Sequence, residues 1–294
     1  RVNLVTGDLG FGVVEPFARR LPNQFLNAGV AEQNMTGIAA GMALSGKVVF
    51  TYSIGNFPIL RCLEQVRNDI CYHKANVKIV SVGAGFAYGS LGMTHHATED
   101  LAILRSLPGM TVVSPADPKE VELATREIVN HPGPCYLRLG RNGEPVLHEA
   151  EIKFELGKSI EVRPGGDVAI IATGSILSLC LEAAKDLEIA GIEARVLSMP
   201  TIKPIDEVAI VKAASETGAV VCVEEHTVIG GLASAVGEVL LAQDLGRVPF
   251  RSIGIPDQFC QTAGSQEYLR EMCGLTASRI TETAKTLLSQ SARA

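Results

Sequence analysis

The stretch Asn27-Ala28-Gly29-Val30-Ala31-Glu32-Gln33-Asn34-Met35 joins a short apolar segment to the beginning of a predicted helix. The helical pattern ends at Gly46, a residue type that favours the left-handed conformation at helix C-termini. Glu32 lies in the first turn of this helix, and no Lys or Arg occurs from Leu21 through Gly46. An acid in that turn can simply stabilise the helix dipole, by up to about 1 kcal/mol. The position of Glu32 alone therefore leaves a structural and a functional role open.

The composition of this helix favours the functional role. Small residues stand at Gly37, Ala40, Gly41 and Ala43, where Leu or Lys would form a better ordinary helix. Each interior Gly costs roughly 1 kcal/mol relative to Ala. Such a helix is expected where another backbone or a flat cofactor comes very close. A desolvated carboxylate at that place is suited to share a proton with a heterocycle.

The pattern Gly-Val-Ala-Glu-Gln-Asn-Met-x-Gly-x-Ala-x-Gly-x-Ala, from Gly29 to Ala43, resembles the glutamate motif of thiamine-diphosphate enzymes of the transketolase family. That group includes deoxyxylulose-phosphate synthase and the beta subunits of two-component 2-oxoacid dehydrogenases. The resemblance implies a pyrimidine-binding domain in which Glu32 holds N1′ of the aminopyrimidine. By the same resemblance, the contact of Glu32 with N1′ favours the imino tautomer of the aminopyrimidine, whose N4′ removes the C2 proton of the thiazolium. Thiamine diphosphate is then the cofactor, and it supplies the carbanion chemistry.

The whole chain has the composition of a globular α/β protein. Its 294 residues are 47% hydrophobic and 20% charged, with a net charge of −6, and they suffice for two domains. No apolar run approaches the ~20 residues that cross a bilayer, and no secretory signal is present, so we expect a cytoplasmic protein without membrane contact. The acidic excess without a basic cluster argues against nucleic acid. Seven scattered cysteines without a Cys-x-x-Cys pair predict reduced core thiols rather than disulfides or a metal site.

Alternating strand and helix patterns predict an α/β fold of two doubly wound, mostly parallel-sheet domains in tandem. The expected division is a pyrimidine-binding domain over 1–148, a linker over 149–166 and a transketolase C-terminal domain over 167–294. Strands are expected near 2–5, 24–27, 47–52, 77–82, 110–113, 134–138, 168–172, 194–199, 219–223 and 250–253. Helices are expected near 31–45, 57–74, 99–106, 117–129, 176–190, 206–216, 232–243, 266–272 and 276–289. Asp117 is the predicted N-cap of the fourth helix, with Pro118 at its first position.

Two further segments are candidates for the cofactor site. Asp8 directly follows the first strand, where ligands commonly bind in open α/β sheets, although a turn carboxylate is an equally good interpretation. By resemblance, Asp8 belongs to an Asp-Leu pair near the cofactor, and Phe57 is the aromatic residue whose ring packs on the aminopyrimidine. The alternative for Phe57 is a core residue at a helix start. A mixed-charge face of the following segment is expected to meet solvent or another subunit: Arg61, Glu64, Arg67 and Asp69.

The loop from Gly83 to Asp100 is rich in glycine and contains two adjacent histidines. Such a loop after a strand is typical of substrate binding. No Cys or carboxylate at metal-ligand spacing completes a metal site with His95 and His96. By resemblance to the family's Thr-His-Gln segment, His95 faces the thiazolium and binds the donor's carbonyl or hydroxyl oxygen. We therefore expect Glu32 and His95 to be catalytic, and both histidines to bind substrate.

Arg141 falls on a family arginine that grips the donor's terminal anion, where a guanidinium suits phosphate or sulfonate. An exposed linker arginine is the alternative. Three other family residues of the donor channel are replaced: Gly12 stands for a serine, Gly83 for a histidine and Leu91 for an aspartate. We therefore expect a wider and less polar channel, in which common pentulose phosphates are poor donors and the natural donor or acceptor is unusual.

The second half also carries the resemblance, in the segments 166–175 and 223–232. In the family this domain is mostly structural, so Glu225 and His226 are expected near the domain junction and not in the site. The predicted first strand begins directly at Val2, and we expect the segment that usually precedes it to be absent or on another chain.

The family also requires a domain with a Gly-Asp-Gly…Asn motif for Mg²⁺ and diphosphate, which this sequence does not supply. The resemblance therefore implies the C-terminal subunit of a split transketolase, which moves a two-carbon ketol unit between sugar-like substrates. The expected partner is an N-terminal, diphosphate-binding subunit that holds most of the Mg²⁺ contacts. We expect an α2β2 assembly and self-association through the pyrimidine-binding domain.

Two other functions remain open. The first is the beta subunit of a 2-oxoacid dehydrogenase or a deoxyxylulose-phosphate-synthase-like, acyloin-forming enzyme. The spacing around Pro115-Ala116-Asp117 and the loop that carries His95 disfavour it. The second is a catalytically silent scaffold that completes the fold of a partner, and the retention of Glu32 argues against it.

Overall fold

The computed structural model describes residues 2–291, in which strands and helices alternate as predicted. The strands are β1 (Val2–Thr6), β2 (Phe25–Asn27), β3 (Val48–Ile54), β4 (Val77–Val82), β5 (Thr111–Val113), β6 (Cys135–Leu139), β7 (Ile160–Arg163), β8 (Val168–Thr173), β9 (Ala194–Ser198), β10 (Thr201–Lys203), β11 (Val220–Thr227) and β12 (Phe250–Ile255). The α-helices are α1 (Glu15–Arg20), α2 (Glu32–Leu44), α3 (Leu63–Gln65), α4 (Asp100–Ser106), α5 (Pro118–Asn130), α6 (Leu177–Ile189), α7 (Glu207–Glu216), α8 (Leu232–Ala242), α9 (Gln266–Met272) and α10 (Ala277–Ser291). The outer ends of the predicted domains, residue 1 and residues 292–294, lie outside the described residues.

The first sheet has the strand order β10-β5-β6-β4-β3-β1-β2. Its neighbouring strands are parallel, except that β10 runs antiparallel to β5. In the register of this sheet, Val5 of β1 lies opposite Leu26 of β2 and Thr51 of β3. The carboxyl ends of the parallel strands therefore meet at one edge, where ligands of open α/β sheets bind.

The second sheet has the order β12-β11-β8-β9-β7, again parallel except for one edge strand, β7, which is antiparallel to β9. Its central strand β8 is buried along its whole length, as expected for a parallel sheet that helices cover on both faces. Two mostly parallel sheets with flanking helices confirm the predicted fold class.

Among the strands and α-helices, three short elements were not predicted, namely α1, β7 and β10. The strand β7 lies within the segment that we expected to be a linker, and β10 carries a piece of the second half of the chain into the first sheet. Strands of three or four residues are too short to show the alternation that identifies a strand in sequence. The helix expected over 57–74 also differs, since turns extend to Cys62, α3 follows, and Val66–Tyr72 is a π-helix.

The small residues of α2 serve two different purposes. Ala39, Ala40 and Ala43 are buried against the core of the first domain. Gly37 and Gly41 are exposed instead, and a Cβ atom at either position would have no neighbour within 4 Å. Within residues 2–291 no other segment approaches these two glycines, so the close approach of another backbone or a cofactor stays a prediction. Of the seven free cysteines, five are buried: Cys62, Cys71, Cys135, Cys180 and Cys222.

A buried polar network joins the two domains. The Arg138 guanidinium donates through Nε to Asp100 Oδ2 at 2.8 Å, and through Nη2 to the carbonyl oxygens of Ala97 and Glu225. Burial alone would raise the pKa of Asp100, but the neighbouring Arg138 lowers that pKa below its ordinary value. The Glu225 carboxylate accepts a hydrogen bond from the backbone N–H of Phe86, across the domain boundary.

His226 completes the junction, because its Nε2 accepts a hydrogen bond from the backbone N–H of Ala102 in α4. Glu225 and His226 therefore lie where the domains meet, as expected. Across residues 2–291, no helix has the length and apolar character needed to span a membrane.

Candidate active site

The carboxyl ends of five adjacent strands bring the predicted site segments to one edge of the first sheet. In spatial order the strands are β2, β1, β3, β4 and β6. The residues that follow them are Glu32 after β2, Asp8 after β1, Phe57 after β3, Gly83 after β4 and Arg141 after β6. Segments that are far apart in sequence therefore share one surface, which the parallel topology creates.

Glu32 is the first residue of α2, and only 4% of it is exposed. The turn after β1 contributes to this burial, because Gly7 lies beside the Glu32 side chain. A Cβ atom at position 7 would lie 3.8 Å from Glu32 Cγ and 3.5 Å from the carbonyl oxygen of Gly29. The turn after β1 therefore packs directly against the stem of the Glu32 side chain.

Arg61 is the partner of this buried acid. Its Nη1 donates a hydrogen bond to Glu32 Oε2 at 2.8 Å, although 52% of the arginine side chain is exposed. The guanidinium carbon also lies 5.0 Å from the centre of the Phe57 ring, in cation–π range. Arg61 is therefore half-exposed, in agreement with the expected solvent-facing charge, but it also pairs with Glu32, which the sequence did not predict. Its spacing of four residues from Phe57 is a helical-turn distance and could have indicated the contact.

Phe57 and His95 form the next part of the same wall. Their ring centres are 5.2 Å apart with an edge-to-face angle of 65°. His95 is partly exposed, and its Nδ1 lies 3.0 Å from Thr94 Oγ1. A continuous series of contacts thus joins Glu32, Arg61, Phe57 and His95.

The Glu32 carboxylate receives one hydrogen bond from the described side chains, at Oε2, so Oε1 remains available to a ligand.

Asp8 is positioned by Asn27, a residue that the sequence reasoning did not single out. Asn27 Nδ2 donates to Asp8 Oδ1 at 2.9 Å, and Asn27 Oδ1 accepts from the backbone N–H groups of Asp8 and Gly29. One asparagine side chain therefore ties the turn after β1 to the turn that leads into α2. The Asp8 side chain is exposed at the edge of the sheet, and its φ of 60° is unusual for a non-glycine residue.

His96 has different surroundings from those of His95. It is 3% exposed, and its ring packs edge-to-face on Phe86 with centres 5.1 Å apart. Burial lowers the pKa of His96 below its ordinary value. The residue also lines a cavity of about 250 Å³ between the domains, together with Asn56, Met93 and Gln258. The structure therefore separates the two predicted substrate histidines, with His95 on the wall of the site and His96 behind it.

Arg141 lies at the other end of the edge and is half-exposed. Among residues 2–291 it pairs with the carboxylate of Glu267 in α9, with 4.0 Å between Nη2 and Oε1. The preceding residue, Gly140, accepts a hydrogen bond from the backbone N–H of Gly83 at 3.0 Å. Arg141 is therefore adjacent to the loop that carries the two histidines, and it is only loosely paired within this chain.

The three positions where family residues are replaced differ in their surroundings. Gly12 is exposed, and a Cβ atom there would have no neighbour within 4 Å, while Leu91 is 55% exposed. At Gly83, by contrast, the ring of Tyr88 occupies the space of a side chain, only 2.3 Å from where a Cβ atom would lie. The expected widening of the channel therefore does not occur at Gly83, because an aromatic side chain from the same loop fills that space.

Comparison with known families identifies both halves of the chain. The family model for the transketolase pyrimidine-binding domain matches residues 1–144, and the model for the transketolase C-terminal domain matches residues 157–280. This chain belongs to the transketolase family. The family resemblance inferred from the motifs is thereby confirmed.

The relatives of this transketolase-family chain include proteins that are named as transketolase subunits. It is 42% identical over 284 residues to a subunit of the apulose-4-phosphate transketolase of Phocaeicola vulgatus, covering 96% of this chain and 90% of that protein. It is 41% identical over 271 residues to the 6-deoxy-6-sulfo-D-fructose transketolase subunit SqwH of Clostridium sp., covering 92% and 83%. Deoxyxylulose-phosphate synthases match at 34–37% identity, and this chain covers 42–45% of their length.

A solved structure of similar fold is described as a split gene transketolase in an inactive beta4 tetramer. It is 41% identical, superimposes with a TM-score of 0.87, and the match covers 98% of this chain and 92% of that one.

The wall of this transketolase-family site fits the aminopyrimidine half of thiamine diphosphate, the cofactor that the family implies. A carboxylic acid is the group that a basic ring nitrogen requires, and Glu32 offers one with a free oxygen. An aromatic face suits a flat heterocycle, and Phe57 supplies one. The Arg61 guanidinium contacts both the Phe57 ring and the Glu32 carboxylate, and so connects the two side chains. Within residues 2–291, no three His, Cys, Asp or Glu side chains are grouped so that they could hold a metal ion.

Proposed function

We propose that this chain is the C-terminal subunit of a thiamine-diphosphate-dependent transketolase, which transfers a two-carbon ketol unit between sugar or sugar-phosphate-like substrates. The observation that carries the proposal is the continuous contact of Glu32, Arg61, Phe57 and His95 at the carboxyl edge of the first sheet. Membership of the transketolase family, and relatives that are named as transketolase subunits, support it.

Each residue of the wall has a role in this proposal. When bound, thiamine diphosphate supplies the nucleophilic carbon that attacks the ketone of the donor. Glu32 Oε1 holds the proton at N1′ of the aminopyrimidine, and Arg61 fixes the carboxylate through Oε2. Phe57 supports the face of the flat ring, and Asp8 contributes to the rim of the cofactor site beside Glu32.

The histidines and Arg141 act on the substrate. His95 donates or accepts a proton at the carbonyl or hydroxyl oxygen of the donor, from its place beside Phe57. His96 supports the loop from behind, since its burial favours this role over direct contact with substrate. Arg141 pairs with the anionic end of the donor, which its loose contact to Glu267 permits.

The names of two relatives support a donor with a phosphate or sulfonate at the end that is distant from the ketone. One of those proteins is named for a sugar 4-phosphate and the other for a 6-deoxy-6-sulfo sugar. Gly12 and Leu91 themselves carry no polar side-chain group that could bind an additional hydroxyl group of the substrate. We therefore propose that common pentulose phosphates are poor donors for this chain.

A partner chain completes the enzyme in this proposal. An N-terminal subunit holds the diphosphate and most of the Mg²⁺ coordination, and the assembly is α2β2. Two observations support a site that is divided between two kinds of subunit. Relatives are named as transketolase subunits, and a similar structure that contains only beta chains is described as inactive. Self-association uses the pyrimidine-binding domain, where α2 exposes Gly37 and Gly41. We place the enzyme in the cytoplasm, where free cysteines remain reduced.

Reconstitution with the partner chain tests this proposal. Calorimetry with Mg²⁺ and thiamine diphosphate should show no micromolar binding to either purified subunit alone and clear binding to the mixture. Ketol transfer between sugar phosphates should appear in the mixture alone. Micromolar binding of the cofactor by this chain in isolation would contradict the proposed division between subunits.

The acyloin-forming alternative is favoured by one observation, the match to deoxyxylulose-phosphate synthases. It predicts release of CO₂ from pyruvate by the reconstituted enzyme, whereas a transketolase releases none. A silent scaffold predicts that replacement of Glu32 changes no rate. Product analysis with pyruvate and with ketose donors, together with the rate of a Glu32 variant, therefore separates the three functions.

A further inference from the structure

The ring of Tyr88 fills the space above Gly83. A Cβ atom at position 83 would lie 2.3 Å from Cδ2 and 2.5 Å from Cε2 of the tyrosine, closer than atoms of this kind approach in proteins. The φ of Gly83 is +101°, which also favours glycine. Any side chain at position 83 would therefore displace the Tyr88 ring, so the glycine and the tyrosine belong together.

This pair lies between the two ends of the candidate site. On one side, the backbone N–H of Gly83 donates to the carbonyl oxygens of Leu139 and Gly140, directly before Arg141. On the other side, a Cβ atom on Gly55 would lie 3.8 Å from the Gly83 carbonyl oxygen and 3.4 Å from that of His95. The backbone of Gly83 therefore lies between the Arg141 segment and the segments that carry Phe57 and His95, and the Tyr88 ring packs on this glycine.

The phenol of Tyr88 is available to a ligand. The side chain is half-buried, and its hydroxyl makes no hydrogen bond to any residue from 2 to 291. Burial raises the pKa of Tyr88, although the neighbouring Arg141 guanidinium opposes this effect. The hydroxyl therefore keeps its proton at neutral pH and can donate a hydrogen bond beside a positive charge.

We propose that Tyr88 and Arg141 together bind the anionic end of the donor, a phosphate or sulfonate, and that Tyr88 is a specificity-determining residue of this enzyme. The inference rests on the proposed function, because it concerns the donor of the same site. Arg141 supplies the charge, and the Tyr88 hydroxyl donates to one oxygen of the anion. Gly83 is required because it leaves room for the tyrosine ring.

The test compares Tyr88→Phe with the natural sequence in the enzyme assembled from both chains with thiamine diphosphate and Mg²⁺. Three ligands with the same carbon skeleton are titrated by calorimetry: D-fructose 6-phosphate, 6-deoxy-6-sulfo-D-fructose and D-fructose. The natural enzyme should bind at least one anionic sugar more tightly than D-fructose. Tyr88→Phe should weaken that binding by roughly ten- to a hundred-fold, the worth of a hydrogen bond to a charged group, and leave D-fructose unchanged. Tyr72→Phe, which alters an exposed tyrosine on Val66–Tyr72, serves as the control.

A second comparison tests the steric coupling. Gly83→Ala should weaken binding of the anionic sugar about as much as Tyr88→Phe does, because it expels the ring. In a Tyr88→Ala background, Gly83→Ala should cause a clearly smaller loss, because the clash with the ring is gone and only the strain of the positive φ at position 83 remains. An equal loss from Gly83→Ala in both backgrounds would show that the glycine acts independently of the tyrosine.

Three other results would overturn the proposal. The natural enzyme could bind neither anionic sugar more tightly than D-fructose, or Tyr88→Phe could keep the natural preference for the anionic sugar. In the third case, Tyr88→Phe would weaken the binding of D-fructose as much as that of the anionic sugar. Failure of the proposed function has a separate signature. It would appear as absence of ketol transfer and of thiamine diphosphate binding in the natural assembled enzyme, whatever the sugar affinities.

Discussion

At the scale of single residues, the site depends on how the Glu32 carboxylate is held. A buried acid without a partner is costly, and Arg61 compensates by donating to one oxygen while leaving the other free. The same guanidinium lies above Phe57, so one side chain positions both the acid and the aromatic ring. Arg61 therefore acts through Glu32 and Phe57, as a positioning residue.

Replacing Arg61 with Gln tests this role. The variant loses the charge that fixes Glu32 and the group above Phe57, so the acid should point less accurately at its target. Because displacement of a reacting group by about 1 Å can cost up to about a hundred-fold in rate, we expect C2 hydrogen–deuterium exchange of bound thiamine diphosphate to slow by roughly ten- to a hundred-fold. Proton NMR of the cofactor after acid quenching measures this rate in the assembled enzyme.

Arg67→Gln is the matched control, because Arg67 lies further along the same segment, is exposed, and forms its one side-chain hydrogen bond within residues 2–291 to Asn68. It should leave the exchange rate unchanged. If Arg61→Gln behaved like Arg67→Gln, Arg61 would be an exposed surface charge, as the sequence alone suggested.

Motifs identified the residues whose type carries the chemistry, but not the residues that position them. Glu32, Phe57 and His95 lie in recognisable local patterns, and the structure brings them into one wall. Arg61 and Tyr88 gain their importance from contacts with Glu32 and Gly83, which depend on side-chain packing between segments. A pattern read along one segment cannot show such contacts. The same limit explains why a widened channel was expected at Gly83.

At the scale of elements, the first turn of α5 anchors the start of the segment that leads to the second domain. Asp117 caps the helix as predicted, since Oδ1 accepts from the backbone N–H of Glu120 at 2.8 Å. Its other oxygen accepts from the N–H groups of Leu147 and His148. The His148 ring in turn bonds the Glu120 carboxylate, with 2.7 Å between Nε2 and Oε1.

This buried pair should make stability depend on pH. The hydrogen bond to Glu120 raises the pKa of His148 above its ordinary value. A raised pKa means that the stabilisation is fully present below about pH 6.5, the pKa of histidine in the unfolded chain, and is lost as the pH rises through the folded-state pKa. We expect His148→Gln to be less stable than the natural chain by about 1.5–3 kcal/mol at low pH, the worth of a charged hydrogen bond, with the difference shrinking as the pH rises.

Urea unfolding of the two chains over a series of pH values measures this difference. His73→Gln, at an exposed histidine, should show no pH-dependent difference from the natural chain. A destabilisation by His148→Gln that is the same at every pH would show that the pair acts through packing and not through its charge.

The sequence predicted most long elements to within a few residues, because apolar periodicity and caps such as Asp117 mark them. The elements that it missed are short or irregular, namely α1, β7, β10 and the π-helix over Val66–Tyr72. Edge strands of this length are stabilised by pairing with a neighbouring strand, here β5 for β10 and β9 for β7. Their formation therefore depends on tertiary contacts that local sequence does not encode.

At the scale of the whole molecule, the two domains form one packed unit through their buried junction. Phe86 and Ala116, from the first half, belong to the apolar core of the second sheet, and Arg138 bonds the Glu225 carbonyl across the boundary. The second domain thereby supports the loop from Gly83 to Asp100, which carries Tyr88 and His95. The proposed catalytic wall itself lies wholly on the first sheet, where its open side can receive cofactor and partner chain.

The central claim is that Glu32 is the acid that serves the aminopyrimidine. The most direct test is C2 hydrogen–deuterium exchange of thiamine diphosphate bound to the assembled enzyme, for the natural chain, Glu32→Gln and the exposed control Glu64→Gln. Glu32→Gln keeps the shape but removes the acid, so exchange should slow by at least about a hundred-fold, while the variant folds and assembles normally and Glu64→Gln exchanges at the natural rate. An unchanged exchange rate in Glu32→Gln would show that Glu32 is only a charge at a helix end, and would contradict the account.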